Sequence, residues 1–402
     1  MSPVADTIFR QARLPDGRLA DIVVAGGRIA AIEAGSAGAG GAQQTIDLAG
    51  ALVVPGFVEG HIHLDKSWIG DTWKPHRPHT AGFDVRERLA FEKELLAGAA
   101  PMDHRASALM ELAVSHGSTV IRSHVDVDAI VGLRHLETLL AVRERYRDAV
   151  TMERVAFPQR GVVSCPGTDA LLDAAIEAGA DRIGGIDPAG MDRDIEGQLD
   201  VVFGIADRRG VAVDIHLHDP GLLGVFQLEQ IAARTAALGL QGRVAVSHAY
   251  CLGDVPLDVV RRTAETLAGA GIAIMTNAPG YRPFPPIRVL RDAGVLVFSG
   301  NDNVRDAWWP YGEADMLQRA MLLGYCSGFF TDDELSLAFD IVTANGARAL
   351  GITDYGLKPG APADLVVMDA AHVQEAVVAR PVRRAVYRNG RLVARDGAFC
   401  AH

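Results

Sequence analysis

Thirteen histidines are spread over the 402 residues, and six of them, His61, His63, His124, His216, His218 and His248, stand at the C-terminal ends of short apolar, β-branched runs. An imidazole can bind a metal, carry a proton or polarise a carbonyl, so their concentration at one kind of position marks a reacting centre. The sharpest signal is His61-Ile62-His63. Alternate residues of a strand point to the same side, which turns both rings toward one ion. His216 ends a later run and Asp302 ends the last. Three histidines and one carboxylate suit Zn2+ or Fe2+ with a position left open for water. Histidines hydrogen-bonded in packed loops, the bland alternative, would have no reason to share strand ends. His218 lies on the same side as His216 and is a rival ligand or a substrate contact. His124 and Asp126 end the second run, either as supports of the ligands or as polar groups at the rim. Gln159 and Asp187 close the third and fourth runs.

Eight such runs carry these residues: VVPGFVEGHIH, TVIRSHVDV, MERVAFPQ, DRIGGIDP, VAVDIHLHD, RVAVSHAY, IAIMTNAP and VLVFSGND. The segments between them have helical periodicity, with Leu133, Leu136 and Leu140 on one face, and DALLDAAIEAG and GQLDVVFGIADRRG patterned likewise. Thr331 and Glu334 predict a capping box for the helix TDDELSLAFDIV. Alternating strands and helices with nearly continuous apolar strands imply a parallel sheet covered by helices. Eight units imply closure into a (β/α)8 TIM-like barrel, whose strand ends converge on one face. An open doubly wound sheet is disfavoured, because no GxGxxG follows the first strand. Both ends of the chain read differently. Gly26-Gly27 and Asn389-Gly390 each join two short β-like runs as hairpins. Residues 1–55 and 354–402 are expected to form together a small β-sandwich domain beside a barrel of residues 56–353.

Hydrophobic residues make up 49% of the chain and charged residues 22%, enough for a large core. A net charge of −11 and the absence of basic runs argue against nucleic acid as a partner. No run is long and apolar enough for a membrane span, and no secretory signal is visible. The four cysteines show no CxxC or paired spacing, which speaks against disulfides or a structural zinc site. A cytoplasmic protein is expected.

The stretches PGFVEGHIHLDKSW, RSHVDVD, VAFPQRG, GGIDPA, DIHLHD, SHAYC and DNVRDAWWPYGEADMLQ occur in this order along nearly the whole chain. On them the protein is identified as a member of the amidohydrolase superfamily, in its cytosine deaminase-like branch. It most resembles the N-isopropylammelide-hydrolysing enzymes there, and next the bacterial cytosine deaminases. The resemblance implies that His61, His63, His216 and Asp302 are the metal ligands. It also implies one divalent ion per chain, Zn2+ ahead of Fe2+, since GGIDPAG lacks the strand-four lysine that bridges two metals in binuclear relatives. Water activated to hydroxide by the ion would attack a ring carbon bearing an amino or alkylamino group, with Asp302 as general base. His248 resembles the family histidine that orients the nucleophile or polarises the substrate. Gln159 resembles the glutamine that reads a lactam edge, where an amide both donates and accepts. Phe157 lies beside the pocket, and Trp308 aligns with a pocket tryptophan; Trp68 is another candidate for stacking on a flat ring, whereas loop packing accounts for Trp73 and Trp309.

Two departures from cytosine deaminase point away from cytosine. Asp219 replaces a proton-shuttling glutamate and is shorter by one methylene, and Lys66 could hydrogen-bond a ring carbonyl or stabilise developing negative charge. The expected activity is hydrolysis of a non-peptide C–N bond, removing an exocyclic amine from a pyrimidine- or s-triazine-like ring, in a homo-oligomer. Hydrolysis of a ring lactam or other amide is the alternative, and a non-catalytic scaffold is disfavoured because every ligand is present.

Overall fold

The computed structural model describes residues 6–35, 42–78, 80 and 85–400. Part of the loop over residues 67–83, where aromatic stacking was sought, lies outside them. Eight parallel strands form one sheet in sequential order: Phe57–Ile62, Ser118–Asp126, Thr151–Phe157, Arg182–Ile186, Ala212–Leu217, Val244–His248, Ala273–Met275 and Val297–Phe298. They coincide with the eight runs read from the sequence. Helices such as Arg134–Arg145, Thr168–Glu177 and Ile195–Arg209 connect them and bury their apolar faces against the strands in the main core.

The first and last strands meet at a narrow seam. Ile62 bridges Asp302 in parallel register, Gly60 N–H donates to Ser299 O at 3.1 Å, and Asp302 N–H donates to His61 O at 2.7 Å. Two glycines make this approach possible. A Cβ on Gly60 would lie 2.6 Å from Ser299 O, and one on Gly300 would lie 2.4 Å from the His61 backbone. The barrel therefore closes, and the closure places the His61/His63 strand against Asp302.

The lower interior of the barrel is charged. Arg122, fully buried, pairs with Asp214 at 3.0 Å and with Glu153 at 2.6 Å, and Arg182 shares Glu153 at 2.6 Å. Each buried charge is thereby partnered, as low-dielectric surroundings require.

The terminal segments form one nine-stranded mixed sheet. Leu365–Met368 pairs antiparallel with Leu52–Pro55, joining the two ends of the chain. The predicted hairpins are present, with positive φ at Gly26, Gly27, Asn389 and Gly390. The sheet rolls over on itself: Phe9 and Tyr387 sit on strands two positions removed from neighbours, yet their rings meet edge-on at 4.7 Å. A second core with Phe9, Ile22, Val53 and Leu365 fills the roll. The Thr331–Glu334 capping box forms as predicted, at the start of the helix Asp332–Ile341. Among the described residues no helix is long and apolar enough to cross a membrane.

Candidate metal centre and substrate cavity

His61, His63, His216 and Asp302 each aim one ligand atom at a common point, all four within 4.8 Å of one another. They come from strand one and just beyond it, strand five, and the segment after strand eight. Asp302 Oδ1 lies 3.5 Å from His61 Nε2 and 3.4 Å from His63 Nε2. A donor–acceptor chain selects the His61 tautomer. Ser247 Oγ donates to Asp214 at 2.8 Å, so its contact with His61 Nδ1 at 2.9 Å has the ring N–H as donor. His61 Nε2 is the nitrogen that faces Asp302.

The electrostatics suit a cation. Burial lowers the pKa of His63 to about 4, and burial with neighbouring imidazoles holds His216 well below the ordinary range. Both are neutral at pH 7, the state in which imidazole binds metal. Burial alone would raise Asp302, but the facing His248, His61 and His63 outweigh it and keep the carboxyl ionised. His61 Nε2 and both nitrogens of His216 are buried without a hydrogen-bond partner. Unpartnered buried imidazole nitrogens around a carboxylate are costly unless a cation engages their lone pairs, so these residues fit a divalent ion. His124, also fully buried, stacks on His61 with ring centroids 3.8 Å apart and stays outside this set.

Above the four groups opens a cavity of about 430 Å3. Phe157, Gln159, His218, His248 and Trp308, all singled out from the sequence, line it. Phe157 also stacks on His216 at 4.0 Å, fixing that ring. Trp308 is tied to Glu92 by an Nε1–H bond of 2.5 Å. His218 Nδ1 lies 2.8 Å from Asp187 Oδ2. Burial would depress the His218 pKa, but the charge and hydrogen bond of Asp187 raise it above the ordinary value.

Two expectations are corrected. Asp219 does not reach the cavity: its carboxylate accepts from Gly190 N–H and Gln227 Nε2, both at 2.9 Å. The chain turns after strand five, so alternation along the strand no longer governs where residue 219 points. Lys66 is buried behind the cavity wall, with Nζ 2.7 Å from Asp126 and 2.5 Å from Gln159 Oε1. It holds the glutamine instead of facing the cavity. Gln159 therefore presents chiefly its NH2 group to a ligand, because the carbonyl is engaged. Burial opposes the Lys66 ammonium, but Asp126, Glu92 and Asp65 outweigh that and raise its pKa.

Among the tryptophans, Trp68 packs with Phe91 and Ala307, and Trp73 is exposed. Trp309 lines the cavity, contrary to the packing role expected of it, with Tyr281 and Tyr311 each 5.3 Å away. Tyr250, Asn277 and Arg319 also line it and were not singled out. Asn277 follows strand seven, so the strand-end rule that found the histidines applies to it equally. Arg319 sits on the helix Met316–Ser327, where no sequence signal distinguishes it. Left-handed backbone conformations at Asp187, His248, Ala278 and Asp302 gather at the same rim, and such strain persists only where packing enforces it.

The amidohydrolase family profile matches residues 44–394. Over 409 aligned residues the chain is 33% identical to N-isopropylammelide isopropyl amidohydrolase of Pseudomonas sp. (strain ADP), covering 100% of both. It matches the crystal structure of N-isopropylammelide isopropylaminohydrolase from Burkholderia multivorans ATCC 17616 with a TM-score of 0.93 and 44% identity, covering 98% of this chain and 99% of that one. It also matches 5-methylcytosine deaminase from Klebsiella pneumoniae, solved with phosphonocytosine, with a TM-score of 0.85 and 28% identity over 98% of this chain and 100% of that one.

Proposed function

The chain belongs to the amidohydrolase family, and on that premise we propose that it removes an exocyclic amino or alkylamino group from a pyrimidine- or s-triazine-like ring by hydrolysis. The observation that carries this reading is the convergence of three imidazoles and one ionised carboxylate at the floor of a 430 Å3 cavity. One divalent ion per chain, zinc ahead of iron, would be held by His61, His63, His216 and Asp302. When bound it supplies Lewis acidity and makes water a nucleophile at neutral pH.

The chain's own groups do the rest. Asp302, ionised and turned toward the cavity floor, takes a proton from the attacking water. His218, paired with Asp187, delivers a proton to the departing nitrogen; Asp187 favours its protonated form and orients its ring. The ring carbon gains oxygen as Asp302 passes its proton to the ring nitrogen; the C–N bond then breaks, the amine leaves with the His218 proton, and the proton on the new oxygen returns to His218 as the carbonyl forms. Gln159 donates from its amide to a ring carbonyl, braced from behind by Lys66. Phe157 and Trp308 offer flat faces to the ring, and His248 borders the reacting carbon. Four free cysteines support a reducing, cytoplasmic setting, and exposed Leu222, Leu223 and Phe226 on one helix support a homo-oligomer.

The test is mass spectrometry of products after zinc-loaded protein meets cytosine, isocytosine, ammelide and N-isopropylammelide together. Loss of ammonia or isopropylamine with gain of a ring carbonyl is expected. Products that gain water and keep every nitrogen would replace this reading with lactam hydrolysis.

A further inference from the structure

Two cavity residues have no part in the mechanism above. Asn277 Nδ2 donates to Asp302 Oδ2 at 2.9 Å, while Asp302 Oδ1 faces His61 and His63. Tyr250 Oη lies 3.2 Å from Asn277 Oδ1 and 3.2 Å from His248 Nδ1. The four groups thus form one unbroken chain, Asp302–Asn277–Tyr250–His248, that links the proposed base to the histidine beside it. The far end of Asn277 is also anchored, since Arg319 donates to its backbone carbonyl at 2.5 Å.

Only one arrangement of protons satisfies this chain. Asn277 turns its NH2 toward the Asp302 carboxylate and its carbonyl toward Tyr250. That carbonyl can only accept, so the single phenol proton of Tyr250 is spent on it. The Tyr250 oxygen must then accept from His248, whose proton sits on Nδ1. His248 Nε2 is buried and has no hydrogen-bond partner, and this order of donors leaves it a bare lone pair. We propose that Asn277 and Tyr250 are positioning residues that aim the Asp302 carboxylate and hold His248 in its Nδ1–H tautomer, with Nε2 an acceptor at the reacting site. The direction of the Asn277 amide thereby sets the tautomer of the ring at the far end of the chain. This role rests on the hydrolytic reading only for its kinetic consequence; the tautomer follows from the hydrogen bonds alone.

The experiment is nitrogen NMR of zinc-loaded protein carrying 15N-histidine, with His248 assigned by its absence in His248→Gln. In the wild type its Nδ1 is expected to be the protonated nitrogen. Tyr250→Phe removes the acceptor, and the single tautomer should give way to a mixture. Asn277→Ala frees the Tyr250 hydroxyl to donate to Nδ1, and the proton should move to Nε2. With N-isopropylammelide as substrate, both variants should lose about 10- to 100-fold in kcat with KM within about threefold, the range for groups that orient a site from behind. A wild-type His248 protonated on Nε2 alone, or a tautomer unmoved in both variants, overturns the proposal. If no heterocycle is turned over by the wild type, the NMR result still decides the positioning role, and the failure falls on the hydrolytic reading.

Discussion

Replacing Lys66 with methionine separates the two things its ammonium does. The side chain is 1% exposed, 2.7 Å from Asp126, 3.9 Å from Glu92 and 2.5 Å from Gln159 Oε1. Lys66→Met keeps the volume but leaves Asp126 buried without its cation. An ionised orphan of this kind costs ~3–5 kcal/mol, whereas a carboxylic acid that escapes by protonating costs ~1–3 kcal/mol for its lost hydrogen bonds. Burial already pushes the Asp126 pKa up, with Asp65 and Glu92 adding to it. The neutral escape is therefore open, and the smaller figure applies at mildly acidic pH. Because the folded pKa is raised above the unfolded one, the penalty grows as pH rises from the ordinary carboxylate range through the raised value. Adding Asp126→Asn should recover most of the stability and flatten that pH dependence. It should not recover turnover: without Lys66 the Gln159 amide loses its fixed direction, and misplacing a substrate-orienting group costs up to ~100-fold in kcat/KM. Unfolding followed by circular dichroism at several pH values, alongside kinetics with N-isopropylammelide, reads both effects. A single variant as stable as the wild type at every pH, or a double variant with wild-type kcat/KM, would refute the reasoning.

Four further outcomes follow from the geometry. Asp302→Asn should lower turnover by ~10²–10⁴-fold, the span of a lost general base, with the secondary structure intact by circular dichroism. Asp219→Ala should leave kcat within about threefold while destabilising by ~1–3 kcal/mol, since Gly190 N–H and Gln227 lose their acceptor; His218→Gln should do the reverse, holding stability and lowering kcat by about 100-fold or more. The backbone N–H groups of Phe330 and Thr331 pull the Glu334 pKa from 4.5 down to about 2. A depressed folded pKa means that the stabilisation is complete above about 4.5 and disappears as pH falls toward 2, so the Tm gap between wild type and Glu334→Gln should narrow over that interval.

The barrel was legible because its strands are buried on both faces and read as unbroken apolar runs, each ended by a polar residue. The metal set was legible for a related reason. Period-two alternation turns His61 and His63 together, and barrel closure brings distant strand ends to one rim. Legibility stopped where the chain leaves regular structure. Beyond Leu217 the strand ends, and nothing in HLHD reveals that His218 faces the cavity with Asp187 while Asp219 turns to the Gly190 loop. Lys66 was recognised as unusual but given the wrong neighbour. Its partners Asp126 and Gln159 are 60 and 93 residues away, and the sequence places them near it only through the closed barrel. Asn277 and Tyr250 are ordinary polar residues whose significance lies in the direction of their hydrogen bonds, a property of three-dimensional packing with no periodic trace. Trp309 was read as packing because adjacent aromatic residues in a loop carry no direction.

Anomalous diffraction at the zinc edge from crystals of zinc-loaded protein tests the central claim most directly. One peak per chain is predicted, within bonding distance of His61, His63, His216 and Asp302, and lost in His216→Ala. A peak elsewhere, such as among His61, His124 and Asp214 one layer deeper, or none in protein that turns over a heterocycle, would contradict the account.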